Sequence, residues 1–309
     1  MQLDHLVINT RFHTDDAAAQ CAALGFTLTP RGRHTLGSIN HLVMFDNHYL
    51  ELIGLPTDAG NLRDEVLSSP FGIDGLVFQT DAPERTASDV AAHGFTLGPV
   101  QRFSRPVEID GLHRDATFVT VRLQPGQVDA GRVYYCQHLT PELVWRSQWL
   151  THENGVQRII ALTVVGHDPA ALRRQYTQLG GNIETRVHAD SASSRSMTSD
   201  AAFLIRVTDP GSFAMRFGDV AQYAPTLAPM PGAARHLPED PSALRPGFFG
   251  AITFHAEAPI TLARRAQAAG LPFFIDGLSI EDLHSAHADA ACRVVVALPA
   301  FSTLLEFQK

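Results

Sequence analysis

The stretch Leu3–Thr10, LDHLVINT, returns at Ile73–Thr80 as IDGLVFQT. Both copies are rich in Leu, Val and Ile and alternate in character, which reads as a β-strand. The segments downstream of the two copies repeat as well. After the first come DDAAAQCAALG (Asp15–Gly25) and FTLTPRGRH (Phe26–His34); after the second come APERTASDVAAHG (Ala82–Gly94) and FTLGPVQRFSR (Phe95–Arg105). An alanine-rich run closed by glycine reads as a helix with its stop signal, and each time a strand begins Phe-Thr-Leu. Two further strands complete each unit: INHLVMFD and HYLELIGLP in the first, DATFVTVRL and VYYCQHLTP in the second. The repeating unit is βαβββ.

The pattern recurs twice more, less fully. RIIALTVVG precedes DPAALRRQYTQLGG, and FFGAITFHAE precedes PITLARRAQAAG, CRVVVALP and STLLEFQK. The expected fold class is therefore α+β, four βαβββ modules paired one with two and three with four. The expected domains are residues 1–140 and 157–309, joined by a linker at 141–156. The serine-rich segment Asp190–Asp200 and the proline-rich connector Pro225–Pro246 are expected to hold little regular structure. Trp145 and Trp149 are four apart, so on a helix they would share a face, and packing between the domains is their expected use.

Composition narrows the function classes. A chain of 309 residues suits about two domains. The net charge is −8 and no basic run occurs, which argues against a phosphate-tracking nucleic-acid surface. No apolar run reaches membrane-spanning length, and the first residues enter a strand with no leader-like pattern. The three cysteines, Cys21, Cys136 and Cys292, are widely spaced and odd in number; they read as free thiols in a reducing cytoplasm.

Strand parity assigns faces. In LDHLVINT, Leu6 and Ile8 share the helix-packed side, and His5, Val7 and Asn9 the other. In HYLELIGLP, Leu50 and Leu52 take the core side, leaving Tyr49, Glu51 and Ile53 opposite. His5 and Glu51 can thus line one cavity. A histidine and a carboxylate facing a common space are the start of a metal site, and a glutamate in an apolar strand needs a partner for its charge.

Four βαβββ units with these signatures resemble the vicinal oxygen chelate superfamily, and within it the glyoxalase-like domain proteins. The resemblance implies that paired units form a cupped, half-open barrel, with a divalent metal held by the first and last strands. On matching strands, His5 falls on Gly75 and Glu51 on Cys136, so two of four ligand positions typical of glyoxalase I enzymes are kept. His138, two residues beyond Cys136, completes an expected set of His5, Glu51 and His138, with Cys136 as the alternative donor. The implied cofactor is a divalent ion: zinc, iron(II), manganese or nickel. Near the cup, His34 and Asn40 in GRHTLGSINH, and Arg102, Arg105 and Arg114 in RFSRPVEIDGLHR, are candidates for substrate contact. Glu51 would serve as the base if it detaches from the metal, and otherwise His34 or a metal-bound hydroxide. In units three and four the matching positions are Ala161 and Ala251; His255 and Glu306 could form only a weak second site, so that half is expected to be scaffold, substrate wall or the surface of a homodimer.

The leading expectation is a metalloenzyme stabilising an enolate or enediolate of a small oxygenated metabolite, as a lyase, isomerase or hydrolase. An extradiol-type dioxygenase is the alternative enzyme, opposed by Ala161 and Ala251, because its ligands usually lie in the C-terminal half. A non-catalytic binder of the bleomycin-resistance type is the alternative of another class.

Overall fold

The computed structural model describes residues 1–58, 62–109, 111–184, 202–229, 244–285, 287 and 292–309. Unit one is β1 (Leu3–Arg11), α1 (Thr14–Ala23), β2 (Gly32–Arg33), β3 (Ile39–Met44) and β4 (Tyr49–Gly54). A short helix, α2 (Asp64–Ser68), leads to unit two: β5 (Gly72–Gln79), α3 (Pro83–Ala92), β6 (Gln101–Ile109), β7 (Leu112–Arg122) and β8 (Arg132–His138). These strands form one eight-stranded sheet in the order β2-β3-β4-β1-β5-β8-β7-β6. Its two halves join where β1 and β5 run antiparallel. The turn before β3 closes on the far edge strand: Thr35 donates through its backbone N–H and its hydroxyl to the Ser104 carbonyl on β6. The sheet is thereby curled into a nearly closed cup.

Unit three supplies β9 (Val156–Gly166), α4 (Pro169–Gln178) and β10 (Leu204–Thr208) among the described residues. It continues as a helix, α5 (Pro210–Phe217), which the repeat pattern does not predict. The local signal is present nonetheless: the Asp209 carboxylate caps the helix by accepting from Ser212 N–H, and Pro210 occupies the first helical position. Two-residue strands β11 (Thr226–Leu227) and β12 (Leu244–Arg245) pair at the two ends of the proline-rich connector, whose residues 230–243 lie outside the described residues, as does Asp190–Asp200. Unit four has the full pattern: β13 (Gly247–Ala256), α6 (Pro259–Ala268), β14 (Phe273–Ile275), β15 (Val294–Leu298) and β16 (Thr303–Gln308). The second sheet runs β10-β9-β13-β16-β15-β14, again joined through an antiparallel central pair, β9 with β13.

The faces obey parity. Leu6, Ile8, Leu50 and Leu52 pack in the main core with Ala17 and Cys21 of α1, while Val7, Tyr49 and Ile53 line the inside of the cup. One irregularity changes the site. Leu3 pairs with Phe78 and His5 with Val77, so Asp4 is an extra residue in β1, a β-bulge. The bulge turns Leu3 to the core and leaves Asp4 beside His5.

The two sheets share that main core, in which Phe26 and Phe45 meet Phe254 at centroid distances of 5.6 and 6.1 Å. Two buried histidines fasten the halves. His48 Nε2 accepts from Ile159 N–H at 2.8 Å; His152 Nδ1 accepts from Thr27 N–H at 3.1 Å, so its Nε2–H donates to the Met44 carbonyl at 3.0 Å. Residues 141–150 form two 3-10 turns, Pro141–Leu143 and Ser147–Trp149, so Trp145 and Trp149 do not share a helix face, and the packing between domains expected of them is not what they do. Both tryptophans pack on the apolar cluster of the N-terminal cup, and Trp145 Nε1–H donates to the Phe45 carbonyl, which fixes the segment against that cup's rim.

The His48 pKa is pushed from 6.5 down to about 4, mainly by burial and then by Arg158, against the pull of Asp4. Between pH 6.5 and 4 the unfolded chain therefore holds a proton that the folded chain refuses. Stability is unaffected above this window and falls as pH is lowered through it, by up to about 3 kcal/mol from this residue. Urea midpoints measured from pH 7 to 4 should show a shallower acid loss in His48→Gln, whose amide oxygen can still accept from Ile159.

Candidate functional site

The inside of the N-terminal cup is a narrow cavity walled by His5, His34, Glu51, Arg105 and Tyr134 among others. His5 is held on three sides. Its ring stacks on Tyr49 at 4.4 Å, and its Nδ1 lies 2.5 Å from Asp4 Oδ1. With the Nδ1 proton donated to Asp4, Nε2 carries the lone pair, which accepts from the Tyr134 hydroxyl at 3.2 Å. The same nitrogen is 3.8 Å from Glu51 Oε2. Burial holds the Tyr134 phenol well above its usual range, so it remains a donor.

Asp4 is buried, and burial alone would raise its pKa; the imidazoles of His138 and His5 outweigh that and bring it below the usual carboxylate value. Glu51 is also lowered: burial opposes ionisation, but His34, His5, a bond from Asn40 and Arg63 overcome it. Asn40 Nδ2 donates to Glu51 Oε1 at 2.6 Å, which leaves Oε2 toward His5. His34, in the turn before β3, bonds Ser38 Oγ through Nδ1 at 2.9 Å and turns Nε2 to Glu51 Oε1 at 3.9 Å. Its pKa is pushed down to about 3, first by burial, with Glu51 opposing and Arg105, Arg63 and Arg122 adding repulsion. It is a neutral imidazole at neutral pH.

Of the expected residues, the fold brings together His5, Glu51, His34, Asn40 and Arg105. His138 is not turned to Glu51; its Nε2 lies 3.2 Å from Asp4 Oδ1, behind His5. Arg102 and Arg114 are exposed and outside the cavity, Arg102 on the outer parity of β6 and Arg114 toward the hairpin tip. The position matching His5 in unit two is closed for a simple reason: a Cβ on Gly75 would sit 2.6 Å from a methyl of Val7. Cys136 lines the cavity, and burial keeps its thiol protonated at neutral pH. The donor atoms of Asp4, Cys136 and His138 all lie within 4.8 Å of one another, an alternative donor set. Sequence reasoning missed Asp4. By strict alternation it shares the core face with Leu6 and Ile8, where a carboxylate has no partner, and that contradiction was the signal of a bulge.

With His138 turned away, His5 and Glu51 offer a divalent ion two protein ligands. A ligating histidine characteristically has its other ring nitrogen held by a carboxylate, as Asp4 holds His5. Two ligands about 2.0–2.2 Å from one ion stand roughly 3–4 Å apart, the separation of His5 from Glu51.

The C-terminal cup differs. Glu306 is fully buried, accepts from the Thr253 hydroxyl at 2.6 Å, and pairs with Arg206, Arg216 and Arg293. His255 lies one pair further along β13, opposite Gln308, and takes no part in that cluster. In place of the weak His255–Glu306 pairing considered from sequence stands an arginine-neutralised carboxylate.

The residues Leu3–Gly180 match the family model described as glyoxalase-like domain, more than half of the chain. The chain belongs to that family, within the vicinal oxygen chelate superfamily. Solved structures share the fold at low identity. A hypothetical protein from Staphylococcus aureus aligns with TM-score 0.53 and 10% identity over 99% of this chain and 98% of that one. A xylose isomerase-like TIM barrel/4-hydroxyphenylpyruvate dioxygenase fusion protein gives 0.53 and 13% over 99% of this chain and 48% of its own. A mutant 4-hydroxymandelate synthase from Streptomyces coelicolor gives 0.51 and 10% over 99% and 91%. No curated protein matches significantly by sequence. Among the described residues, no helix is long and apolar enough to cross a membrane.

Replacing Glu306 by alanine leaves three guanidinium groups around an uncompensated site. Glu306→Ala should cost about 3–5 kcal/mol in urea unfolding monitored by circular dichroism.

Proposed function

We propose that this glyoxalase-like protein is a divalent-metal enzyme that draws a proton from a carbon next to an oxygen of a small metabolite, in the class of lyase, isomerase or hydrolase reactions. The observation that carries the reading is the pair His5 Nε2 and Glu51 Oε2, 3.8 Å apart, with Asp4 on the second nitrogen of His5. When bound, the ion would supply Lewis acidity that stabilises a developing enolate-type oxygen.

The chain's own residues then have distinct work. His5 and Glu51 are the proposed ligands. Asp4 fixes the His5 tautomer and orientation, and His138 helps hold Asp4 ionised. Asn40 fixes the Glu51 carboxylate by its 2.6 Å bond. His34 Nε2 faces the cavity, accepts from Asn40 Nδ2 at 3.4 Å, which sets its tautomer, and is the nitrogen proposed to take the proton. The three buried free cysteines suit a reducing cytoplasm. A dioxygenase reading that needs ligands in the C-terminal half finds Ala161, Ala251 and an arginine-bound Glu306 there. A binder with a wide apolar cup is disfavoured by a cavity this narrow and charged.

Metal content of protein purified without chelators tests the reading. The expected result is about one divalent ion per chain, lost in His5→Ala and Glu51→Ala with unchanged circular dichroism. Asp4→Asn should bind the ion roughly 10–100-fold more weakly. An ion retained by both alanine variants but lost in Cys136→Ser would move it to the alternative set, and a metal-free wild type would end the proposal.

A further inference from the structure

We propose that the substrate enters this cavity as a carboxylic acid anion, docked by its carboxylate on the guanidinium of Arg105. The inference rests on the cavity being the reaction site and names the class of molecule it takes.

Arg105 lies on β6 and is only 5% exposed. Among the described residues no carboxylate comes within 4.0 Å of it. Its one hydrogen bond there is a long one, from Nη1 to Asn40 Oδ1 at 3.3 Å, and its Nε has no partner. The other arginines of the cavity are different. Arg63 and Arg122 both pair with Glu65, and Arg122 also donates to Gln101. A guanidinium this buried is strongly unfavourable without a counter-charge, because the lost hydration must be replaced.

The backbone around it is cut to admit it. A Cβ on Gly32 would fall 2.7 Å from Arg105 Nη1 and 2.9 Å from its Cδ, and would overlap Asn40 Oδ1.

The chemistry of the site selects a carboxylate. A guanidinium offers parallel N–H groups that match the two oxygens of one carboxylate. Asn40 spans from Arg105 to Glu51, so the docking point is one side chain away from the proposed ligand. A 2-oxo or 2-hydroxy acid has this shape: its carboxylate can sit on Arg105 while the neighbouring oxygen reaches toward His5 and Glu51.

Calorimetric titration with pyruvate, methyl pyruvate and inorganic phosphate tests the proposal, on the protein as purified and after treatment with EDTA. Methyl pyruvate keeps the carbonyl and loses the charge. Pyruvate should bind the wild type, and methyl pyruvate roughly tenfold or more weakly. Arg105→Met should lose pyruvate binding to a similar degree while keeping its metal content, and Arg105→Lys should fall between. Equal binding of pyruvate and its ester, no binding of pyruvate, or phosphate binding in its place would each overturn the proposal. The wild-type comparison needs no variant to fold. The two readings fail separately: ester discrimination in a metal-free protein removes the ion and keeps Arg105, whereas a bound ion with no response to pyruvate does the reverse.

Discussion

The site depends on one carboxylate shared by two imidazoles. Asp4 Oδ1 is 2.5 Å from His5 and 3.2 Å from His138, inside a sheet where an unpaired charge would be expelled. The contact sets the His5 tautomer, whose Nε2 lone pair accepts from the Tyr134 hydroxyl with Glu51 Oε2 3.8 Å away. It exists because β1 carries an extra residue opposite Phe78 and Val77. Without that bulge Asp4 would point into the helix-packed core, and His5 would lose the partner that holds its Nδ1. A local break in the ladder thus supplies the orientation on which the chemistry of the cup rests.

The fold was largely legible because it repeats and because parity held. The alternation of Leu6, Ile8, Leu50 and Leu52 against Tyr49, Glu51 and Ile53 is the division found between core and cup. Parity failed at Asp4, since alternation assumes a regular ladder. On β6 it separates the arginines: Phe103 and Arg105 share a face and both line the cavity, while Arg102 has the other. Arg114 has the inward parity of Ala116 and Phe118 but lies out along the hairpin, where no wall covers it. The place of Trp145 and Trp149 depended on where residues 141–150 dock, and spacing alone carries no information about that.

The two cups show how one fold position is used in opposite ways. Glu51 and Glu306 occupy equivalent places on the last strands of units one and four, and both are buried. Glu51 meets an amide, two imidazoles and, farther off, cationic charge, so its Oε2 stays clear of arginine ion pairs, 3.8 Å from His5 Nε2. Glu306 meets Arg206, Arg216 and Arg293, which hold its pKa down to about 2 against burial and take its oxygens in ion pairs. The carboxylate is ionised in both, but only the first can still serve as a ligand.

The neighbours decide the difference in access too. Beside Glu306 the cup is filled: Phe213 and Phe217 of α5 pack on Phe248, Ala251 and Val295, and Arg216 from the same helix ties it to Glu306. The helix and the ion pair reinforce each other, because the apolar plug covers the Glu306 end and the pair anchors the plug. In the N-terminal cup the corresponding space keeps polar walls, and its cation, Arg105, comes from the edge strand without a carboxylate of its own. Arg105 reaches a carboxylate, Glu51, only through Asn40, which is why the specificity proposed for this cup is better sought in Arg105 than in the apolar residues around it.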